Sequence, residues 1–333
     1  MSCWPPYSPW CECVDTDCRR SPAPLTPSAS QPSTDPTFPS EFRAVGLDAL
    51  MALGRGRPQI AVALLDGPVS LAHPDLADTP IRAITTGACS TPPAFACRHG
   101  TFMAGILSAA PSSATPGISP GCTLLVRPVF ADDPGPRGPR CPATELAAGI
   151  DDALRHGARI INISGALTRT FGRVQRLEDS LHAASLAGRL VVAAAGNDAT
   201  ITGSALTRHP TVIAVTGADE SGRPTHTANL GRSVGLRGIA APDTLMSITP
   251  AGDPARSSGT SVAAAIVSGT CALLWSAFPQ ASACDIRQAV IGAWRRTSIA
   301  PPLLDAWSAY QTLGISRQAH NRQPLMDQRR KGL

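Results

Sequence analysis

Gly259-Thr260-Ser261-Val262-Ala263-Ala264-Ala265 opens an apolar segment that continues to Phe278. Its small residues and its length predict a helix that begins close to Ser261. The first N–H groups of a helix lack intrahelical partners, and the helix N-terminus carries a partial positive charge. Negative charge that develops beside Ser261 would therefore be stabilised. We predict Ser261 to be a catalytic nucleophile, which needs a base and a group that orients the base.

Short apolar runs alternate with helix-like stretches along most of the chain. Runs of this length are typical of strands that are buried on both faces of a parallel sheet and separated by helices. The pattern predicts an α/β fold with a mostly parallel central sheet flanked by helices. The predicted strands are 60–65, 124–129, 159–163, 190–195 and 212–215, and the further predicted helices are 42–53, 101–109, 144–155, 174–187, 284–294 and 304–313.

Length and composition limit the kinds of protein to consider. The chain has 333 residues, of which 43% are hydrophobic, so it can bury a sizeable core. Its net charge of +5 is mild and its arginines are scattered, which argues against a nucleic-acid partner. We also expect no membrane partner, because no apolar run reaches the roughly 20 residues that span a bilayer.

Both ends of the chain differ in composition from the middle. Residues 1–41 are rich in Pro, Ser and Cys and have little apolar periodicity, so we predict a disordered tail. Residues 42–315 are predicted to form one domain, and 316–333 to form a polar C-terminal tail.

Ten cysteines are many for a protein of a reducing compartment. The first residues carry no secretory-signal pattern, so we expect a cytoplasmic location and reduced thiols. Cys3, Cys11, Cys13 and Cys18 lack the paired spacing of common zinc sites, and we predict no metal site there. A metal or redox role for this cluster is the alternative to stray cysteines on a tail.

Asp66 and His99 are candidates for the acid–base groups. Asp66 ends the first apolar run, and reacting groups gather at the carboxyl ends of parallel strands. Taken alone, it could equally be a loop aspartate that caps the turn with Gly67. His99 precedes Gly100-Thr101 at the start of a predicted helix, and an imidazole has a pKa suited to a general base near neutrality. A purely structural histidine is the alternative.

Asn197 follows another apolar run, in Ala195-Gly196-Asn197. Its side-chain amide could donate to a developing oxyanion together with a backbone N–H near Ser261. A Gly-Asn pair is also typical of a left-handed turn, in which the asparagine would have only a backbone role.

Taken together, the four segments resemble the subtilisin-like (S8) serine peptidases over residues 42–315. The chain order Asp, His, Ser matches the order of that family's triad. The resemblance implies a three-layer subtilisin-like fold and a triad of Asp66, His99 and Ser261. In that triad Asp66 orients His99, and His99 takes the proton of Ser261. It also implies that Asn197 and the Ser261 N–H hold the oxyanion.

The resemblance extends to the segment that would bind the substrate. Asn162-Ile163-Ser164-Gly165-Ala166 is similar to the family's substrate-pairing strand, which binds an extended peptide by β-augmentation. The resemblance thus implies substrate binding by Ser164, Gly165, Ala166, Ala193, Ala195 and Gly196. The Asp66-Gly67-Pro68-Val69 and Asn-Ile-Ser-Gly forms look most like the PatA/PatG-like proteases that mature cyanobactin-type precursor peptides.

Calcium is a cofactor of many subtilases, and Asp75 matches one ligand position of that family. Residues 111–120 do not resemble the loop that supplies the other ligands, and a hard cation wants roughly six oxygens. We therefore expect no cofactor. Cys97, two residues before His99, is interpreted as a small buried hydrophobic residue.

These observations predict a serine endopeptidase that cleaves peptides through an acyl-enzyme, and a peptide or protein substrate such as a ribosomally made precursor. Two alternatives remain open. A peptide macrocyclase would use the same triad, although its relatives carry a site-covering insertion where this chain has only the short Cys89–Cys97 loop. A catalytically silent fold would bind a peptide without cleaving it.

Overall fold

The computed structural model describes residues 38–87, 89–90, 93–130, 140–167, 174–292 and 298–316. Nearly all of the two predicted tails, 1–41 and 316–333, lies outside these residues. The cluster of Cys3, Cys11, Cys13 and Cys18 lies outside them too. The predictions for those parts of the chain stay predictions.

The centre of the fold is a seven-stranded sheet with the strand order β2-β3-β1-β5-β7-β8-β9, in which every neighbouring pair is parallel. The described strands are β1 (Ala61–Asp66), β2 (Ile81–Ala83), β3 (Thr123–Pro128), β4 (Arg140–Cys141), β5 (Ile160–Ile163), β6 (Ala166–Leu167), β7 (Leu190–Ala194), β8 (Val212–Ala218), β9 (Ile239–Pro242), β10 (Thr244–Ser247) and β11 (Ala255–Ser258). Strands β4 and β6 pair in parallel, and β10 and β11 pair antiparallel, as two small separate sheets.

Helices cover both faces of this sheet. The described helices are α1 (Ser40–Arg43), α2 (Leu47–Ala52), α3 (Pro74–Ala77), α4 (Phe95–Ser108), α5 (Ala143–Arg155), α6 (Gln175–Leu186), α7 (Ala205–Arg208), α8 (Arg232–Arg237), α9 (Thr260–Ala277), α10 (Ala283–Ile291) and a last helix, α11, over 306–316. One large core cluster contains α4 and α9, and a second contains α5 and α6. These layers confirm the predicted three-layer α/β fold.

The organising helix is α9, the segment quoted at the start. It packs on β5, β7, β8 and β9, and it also contacts α4. Its 18 residues have a mean hydropathy of 1.5, which would suit a membrane span by length and composition, but 89% of it is buried inside the domain. A helix that is apolar on all sides is expected at the centre of a large core.

The five predicted strands are all present, but two strands of the central sheet and the four short strands of the small sheets were missed. The missed strands of the central sheet, β2 and β9, lie at its two edges. The single helix predicted over 42–53 was wrong, because the chain breaks at Gly46, which has φ 63°, to give α1 and α2. After this break, α2 buries Leu47 and Leu50 in the core. The helix predicted over 101–109 begins earlier, at Phe95, so His99 lies inside α4.

Candidate active site

The candidate site forms at the carboxyl ends of three neighbouring strands. Asp66 is the last residue of β1, and Ser164 follows β5 directly. Strand β7 leads into residues 195–200, here called the oxyanion loop, which carries Asn197. Because β1, β5 and β7 are adjacent and parallel, their carboxyl ends meet at one edge of the sheet, where reacting groups of α/β proteins gather.

Asp66 and His99 form a hydrogen-bonded pair. His99 Nδ1 lies 2.7 Å from Asp66 Oδ1, and the N–H of Gly67 also donates to Oδ1 at 2.6 Å. Asp66 is fully buried, whereas the His99 side chain is 14% exposed. With Nδ1 donating to the carboxylate, the neutral ring presents Nε2 as its proton acceptor. The pair therefore has the arrangement of a general base and the group that orients it.

Gly67 allows α4 to approach β1 closely. A Cβ atom on Gly67 would lie 2.0 Å from the carbonyl oxygen of Ala96, within the first turn of α4. No side chain fits there without moving the helix that carries His99. A second contact fixes the next turn of α4, since the Ser70 N–H donates to Thr101 Oγ1 at 2.9 Å. Glycine at position 67 thus has a steric reason in this chain.

The pKa of His99 is raised above its ordinary value of 6.5. Burial by itself lowers this pKa, because it disfavours the imidazolium. The charge of Asp66 and its hydrogen bond act in the opposite direction and outweigh the burial. Asp66 thus stabilises the imidazolium that forms whenever His99 accepts a proton.

Ser261 is the second residue of α9 and is 9% exposed. Among the described residues, its backbone N–H has no acceptor, so this donor is available at the positive end of the helix. Its hydroxyl Oγ donates to the carbonyl oxygen of Ser164 at 2.5 Å rather than to His99. The predicted nucleophile therefore lies beside the predicted substrate strand, hydrogen-bonded to that strand's backbone.

Asn197 is exposed, and its amide oxygen accepts from the Thr260 N–H at 2.9 Å. Thr260 Oγ1 in turn accepts from the N–H of Gly196 at 3.1 Å, so two bonds join the oxyanion loop to the start of α9. Among the described residues, Asn197 Nδ2 has no acceptor. The site thus holds two free donors, Asn197 Nδ2 and the Ser261 N–H. Thr260, which had no predicted role, is the residue that joins the oxyanion loop to the start of α9.

The predicted substrate-binding residues lie at the same edge. Ser164 and Gly165 are buried, and a Cβ atom on Gly165 would overlap the ring of Phe130, 1.9 Å from its Cζ. Ala166 belongs to β6, which pairs with β4 through Arg140. Ala193 is fully buried within β7, and Ala195 and Gly196 are buried beside it. Their contact with a substrate stays a prediction.

The surroundings of Asp75, which matches one calcium-ligand position of many subtilases, do not offer a calcium-like donor set in the described part of the chain. Asp75 Oδ2 accepts from Ser113 Oγ at 2.5 Å, and the Asp75 carbonyl accepts from the Ala110 N–H at 2.7 Å. No group of three or more His, Cys, Asp or Glu side chains in the described part of the chain could hold a metal ion. One carboxylate already bonded to a hydroxyl does not fit a cation that wants roughly six oxygens.

A disulfide joins Cys89 to Cys97, with their Cα atoms 5.3 Å apart. The expectation of reduced thiols was therefore wrong for these two residues. Cys97 is fully buried, as interpreted, but its sulfur is bonded to Cys89 and is not a free thiol. The bond ties the segment before α4 to the helix turn that precedes His99. Since disulfides persist in oxidising compartments, it does not support the expected cytoplasmic location, which stays a prediction.

Comparison with known proteins gives a family that agrees with this geometry. The profile of the subtilase family (Peptidase_S8) matches residues 57–317. The thermophilic serine proteinase of Bacillus sp. (strain AK1) is 33% identical over 232 residues, which cover 69% of this chain and 55% of that protein. The chain thus spans about half the length of this relative. It belongs to the subtilase family, the subtilisin-like serine peptidases.

Two solved structures are similar along nearly their whole length. The protease domain of PatA, solved as a variant, matches with a TM-score of 0.72 and 33% identity, covering 79% of this chain and 98% of that domain. The prenylagaramide maturation protease PagA matches with a TM-score of 0.72 and 30% identity, covering 80% of this chain and 98% of PagA. The predicted resemblance to cyanobactin maturation proteases is thereby confirmed.

Proposed function

We propose that this chain is a serine endopeptidase with the triad Asp66, His99 and Ser261, and that it cleaves ribosomally made precursor peptides. The observation that carries the proposal is the Asp66–His99 bond of 2.7 Å at the strand edge that also holds the N-terminus of α9. A general base, a serine at a helix start and two free donors are the parts that acyl transfer requires.

In the proposed reaction, Ser261 Oγ attacks the carbonyl carbon of the scissile bond, and its proton passes to His99 Nε2. The resulting oxyanion accepts hydrogen bonds from the Ser261 N–H and Asn197 Nδ2. Collapse of this intermediate breaks the C–N bond. The leaving amine takes the proton from His99, and an acyl-enzyme remains. Water, deprotonated by His99, then attacks the acyl carbon, releases the second product and restores Ser261.

An extended peptide would bind along Ser164 and Gly165. Its backbone N–H would compete with Ser261 Oγ for the Ser164 carbonyl, which already accepts a hydrogen bond at 2.5 Å. Peptide binding would thus release the Ser261 hydroxyl, which could then turn towards His99. Beyond Gly165 the strand β6 is paired with β4 along one of its two edges.

The precursor peptide is proposed because the PagA relative is a maturation protease. A precursor offers an extended backbone, which is the form that β-augmentation recognises. The preferred side chains at the cut are not part of the proposal.

A fluorophosphonate probe tests the nucleophile directly. We expect the wild-type protein to be labelled at Ser261 under native conditions, and Ser261→Ala to lose the label. Ser258→Ala, an exposed serine in β11, is the matched control and should keep the label. Wild-type protein that folds but is not labelled would support the silent peptide-binding fold and refute the enzyme.

Product masses test the reaction outcome. A synthetic peptide library is incubated with wild-type protein and with Ser261→Ala, and the new masses that need Ser261 are identified. Linear fragments, each cut adding one water, are expected for hydrolysis. Products that have lost a leaving peptide and become cyclic would mean macrocyclisation, in which the substrate's own amine displaces the acyl-enzyme.

A further inference from the structure

Asn229 lies buried beneath the oxyanion loop and holds its backbone. Only 7% of this residue is exposed. Its Oδ1 accepts from the N–H groups of Asp198 and Thr200, at 2.9 and 3.0 Å. Its Nδ2 donates to the carbonyl of Ala195 at 3.1 Å, and its backbone N–H donates to the carbonyl of Gly196 at 2.9 Å. These bonds reach the loop on both sides of its catalytic asparagine.

Asn229 is itself fixed to the central sheet. Its carbonyl accepts from Thr216 Oγ1 at 2.9 Å, and Thr216 is a fully buried residue of β8. Hydrogen bonds through Asn229 thus connect the oxyanion loop to β8, a strand of the central sheet. A side chain whose polar groups are all bonded in a buried place has little freedom to move.

The loop adopts a backbone shape that needs such support. Gly196 has φ 103°, and Ala199 has φ 52°, the one positive φ of a residue other than glycine in the described part of the chain. Left-handed backbone at such a residue is unfavourable and persists only where the surroundings impose it. A Cβ atom on Gly196 would lie 2.5 Å from Asn229 Nδ2, so the two residues are matched in shape as well as in bonding.

We propose that Asn229 is the positioning residue of the oxyanion hole: it holds the loop so that Asn197 Nδ2 points at the oxyanion. Asn229 touches no reacting atom and acts only through Asn197. The backbone of Asn197 makes no hydrogen bond within the described residues, so its place depends on the Thr260 N–H, which donates to its side chain, and on the neighbours that Asn229 binds. The proposal rests on the proposed function, because it assigns Asn197 a role in catalysis.

The first experiment is a double-mutant cycle of Asn229→Ala and Asn197→Ala, measured with a fluorogenic peptide that the wild type cleaves. We expect Asn229→Ala to lower kcat by at least tenfold while KM changes less than twofold. In the Asn197→Ala background the same change should lower kcat less than twofold, because the donor it positions is gone. Losses that multiply in the double variant would overturn the proposal, as would a single variant with normal kcat.

Two further variants separate positioning from folding. Asn229→Asp keeps the acceptor for Asp198 and Thr200 but loses the donor to Ala195, so its kcat should lie between those of wild type and Asn229→Ala. Ser119→Ala is the matched control: Ser119 is buried and bonds the Leu107 carbonyl at 3.3 Å, before the amino end of β3. It should lower stability without lowering kcat. An equal kcat loss in Ser119→Ala would mean that Asn229 acts through general stability.

Hydrogen exchange tests how Asn229 holds the oxyanion loop without relying on an activity measurement. In wild type the Asp198 and Thr200 amides should be protected, and in Asn229→Ala they should exchange at least tenfold faster, while amides of β7 stay unchanged. Unchanged protection of both amides would overturn the proposal even if the enzyme were active. Wild-type protein without peptidase activity would instead refute the proposed function, and the exchange result would still decide what holds the loop.

Discussion

The acid–base half of the site and the nucleophile half differ in how completely they are assembled. Asp66 and His99 are bonded at 2.7 Å, and the close approach of α4 to Gly67 fixes the helix that carries His99. On the other side, Ser261 Oγ bonds the Ser164 carbonyl and not the imidazole. The fold therefore orients the base in advance. The proposed nucleophile is not aligned in advance: Ser261 Oγ can donate to His99 only once it gives up its hydrogen bond to the Ser164 carbonyl.

Asp66→Asn breaks the acid–base half and should have the largest effect. We expect kcat to fall by about 10⁴-fold, because the ring loses its orientation and the imidazolium loses its counter-charge. Steady-state kinetics against a fluorogenic peptide measures this loss. Wild-type kcat/KM should fall as pH drops through the raised pKa of His99, above 6.5, because protonated His99 cannot accept the serine proton.

The Asp66→Asn variant also tests whether Asp66 raises the pKa of His99. With the charge of Asp66 gone, burial alone acts on His99 and lowers its pKa. The acid limb of kcat/KM should therefore move to lower pH in Asp66→Asn. An acid limb that stays in place would show that Asp66 is not what raises the His99 pKa.

Asn197→Ala weakens the nucleophile half alone. We expect kcat to fall by about 10²–10³-fold, the loss that removal of one oxyanion donor causes in subtilisin, with KM nearly unchanged. The acid limb should stay where it is in wild type, since the His99 surroundings are untouched. A loss confined to KM, or a moved acid limb, would contradict the separation of the two halves.

Much of the fold could be predicted because strands buried on both faces appear in the sequence as short apolar runs. The missed edge strand β2 has no such run: Ile81 is partly exposed and Arg82 and Ala83 are exposed. The break at Gly46 was missed because periodicity does not show where a helix turns. The start of α4 was placed too late because Ala94, its N-cap, carries no capping side chain.

The candidate site was predictable where a residue type matched a family motif, as at Asp66, His99, Asn197 and Ser261. Two aspects had no local signal. Asn229 owes its proposed role to contacts with residues about 30 positions earlier, and nothing in its own neighbourhood indicates them. The hydroxyl direction of Ser261 depends on a side-chain rotation that sequence does not determine.

The disulfide stabilises the acid–base half by closing the chain between Cys89 and Cys97. Replacing both by alanine, or reducing the bond, should lower the free energy of unfolding by about 2–3 kcal/mol, because the short loop gains entropy in the unfolded chain. Urea unfolding monitored by circular dichroism measures the change. The reductant should have no effect on the double variant, and an unchanged wild-type midpoint under reducing conditions would contradict the prediction.

The smallest effect is expected at Ser113, which donates a hydrogen bond to Asp75 of α3. Ser113→Ala should lower the free energy of unfolding by about 1 kcal/mol, since Asp75 is partly exposed and water replaces part of the lost bond. Ser112→Ala, its exposed neighbour, is the control and should change little. EDTA should leave the wild-type midpoint unchanged, and a lower midpoint would point to a bound cation instead.

The late place of α9 in the chain bears on the order of synthesis. A ribosome that has completed residues 1–250 has made Asp66, His99 and Asn197 but not Ser261. The same unfinished chain lacks the helix that covers one face of β5, β7, β8 and β9, so its sheet cannot yet be buried. Ser261, the proposed nucleophile, and the core helix α9 are thus synthesised together. Until Ser261 is made, the nascent chain lacks both the proposed nucleophile and the helix that covers this face of the sheet.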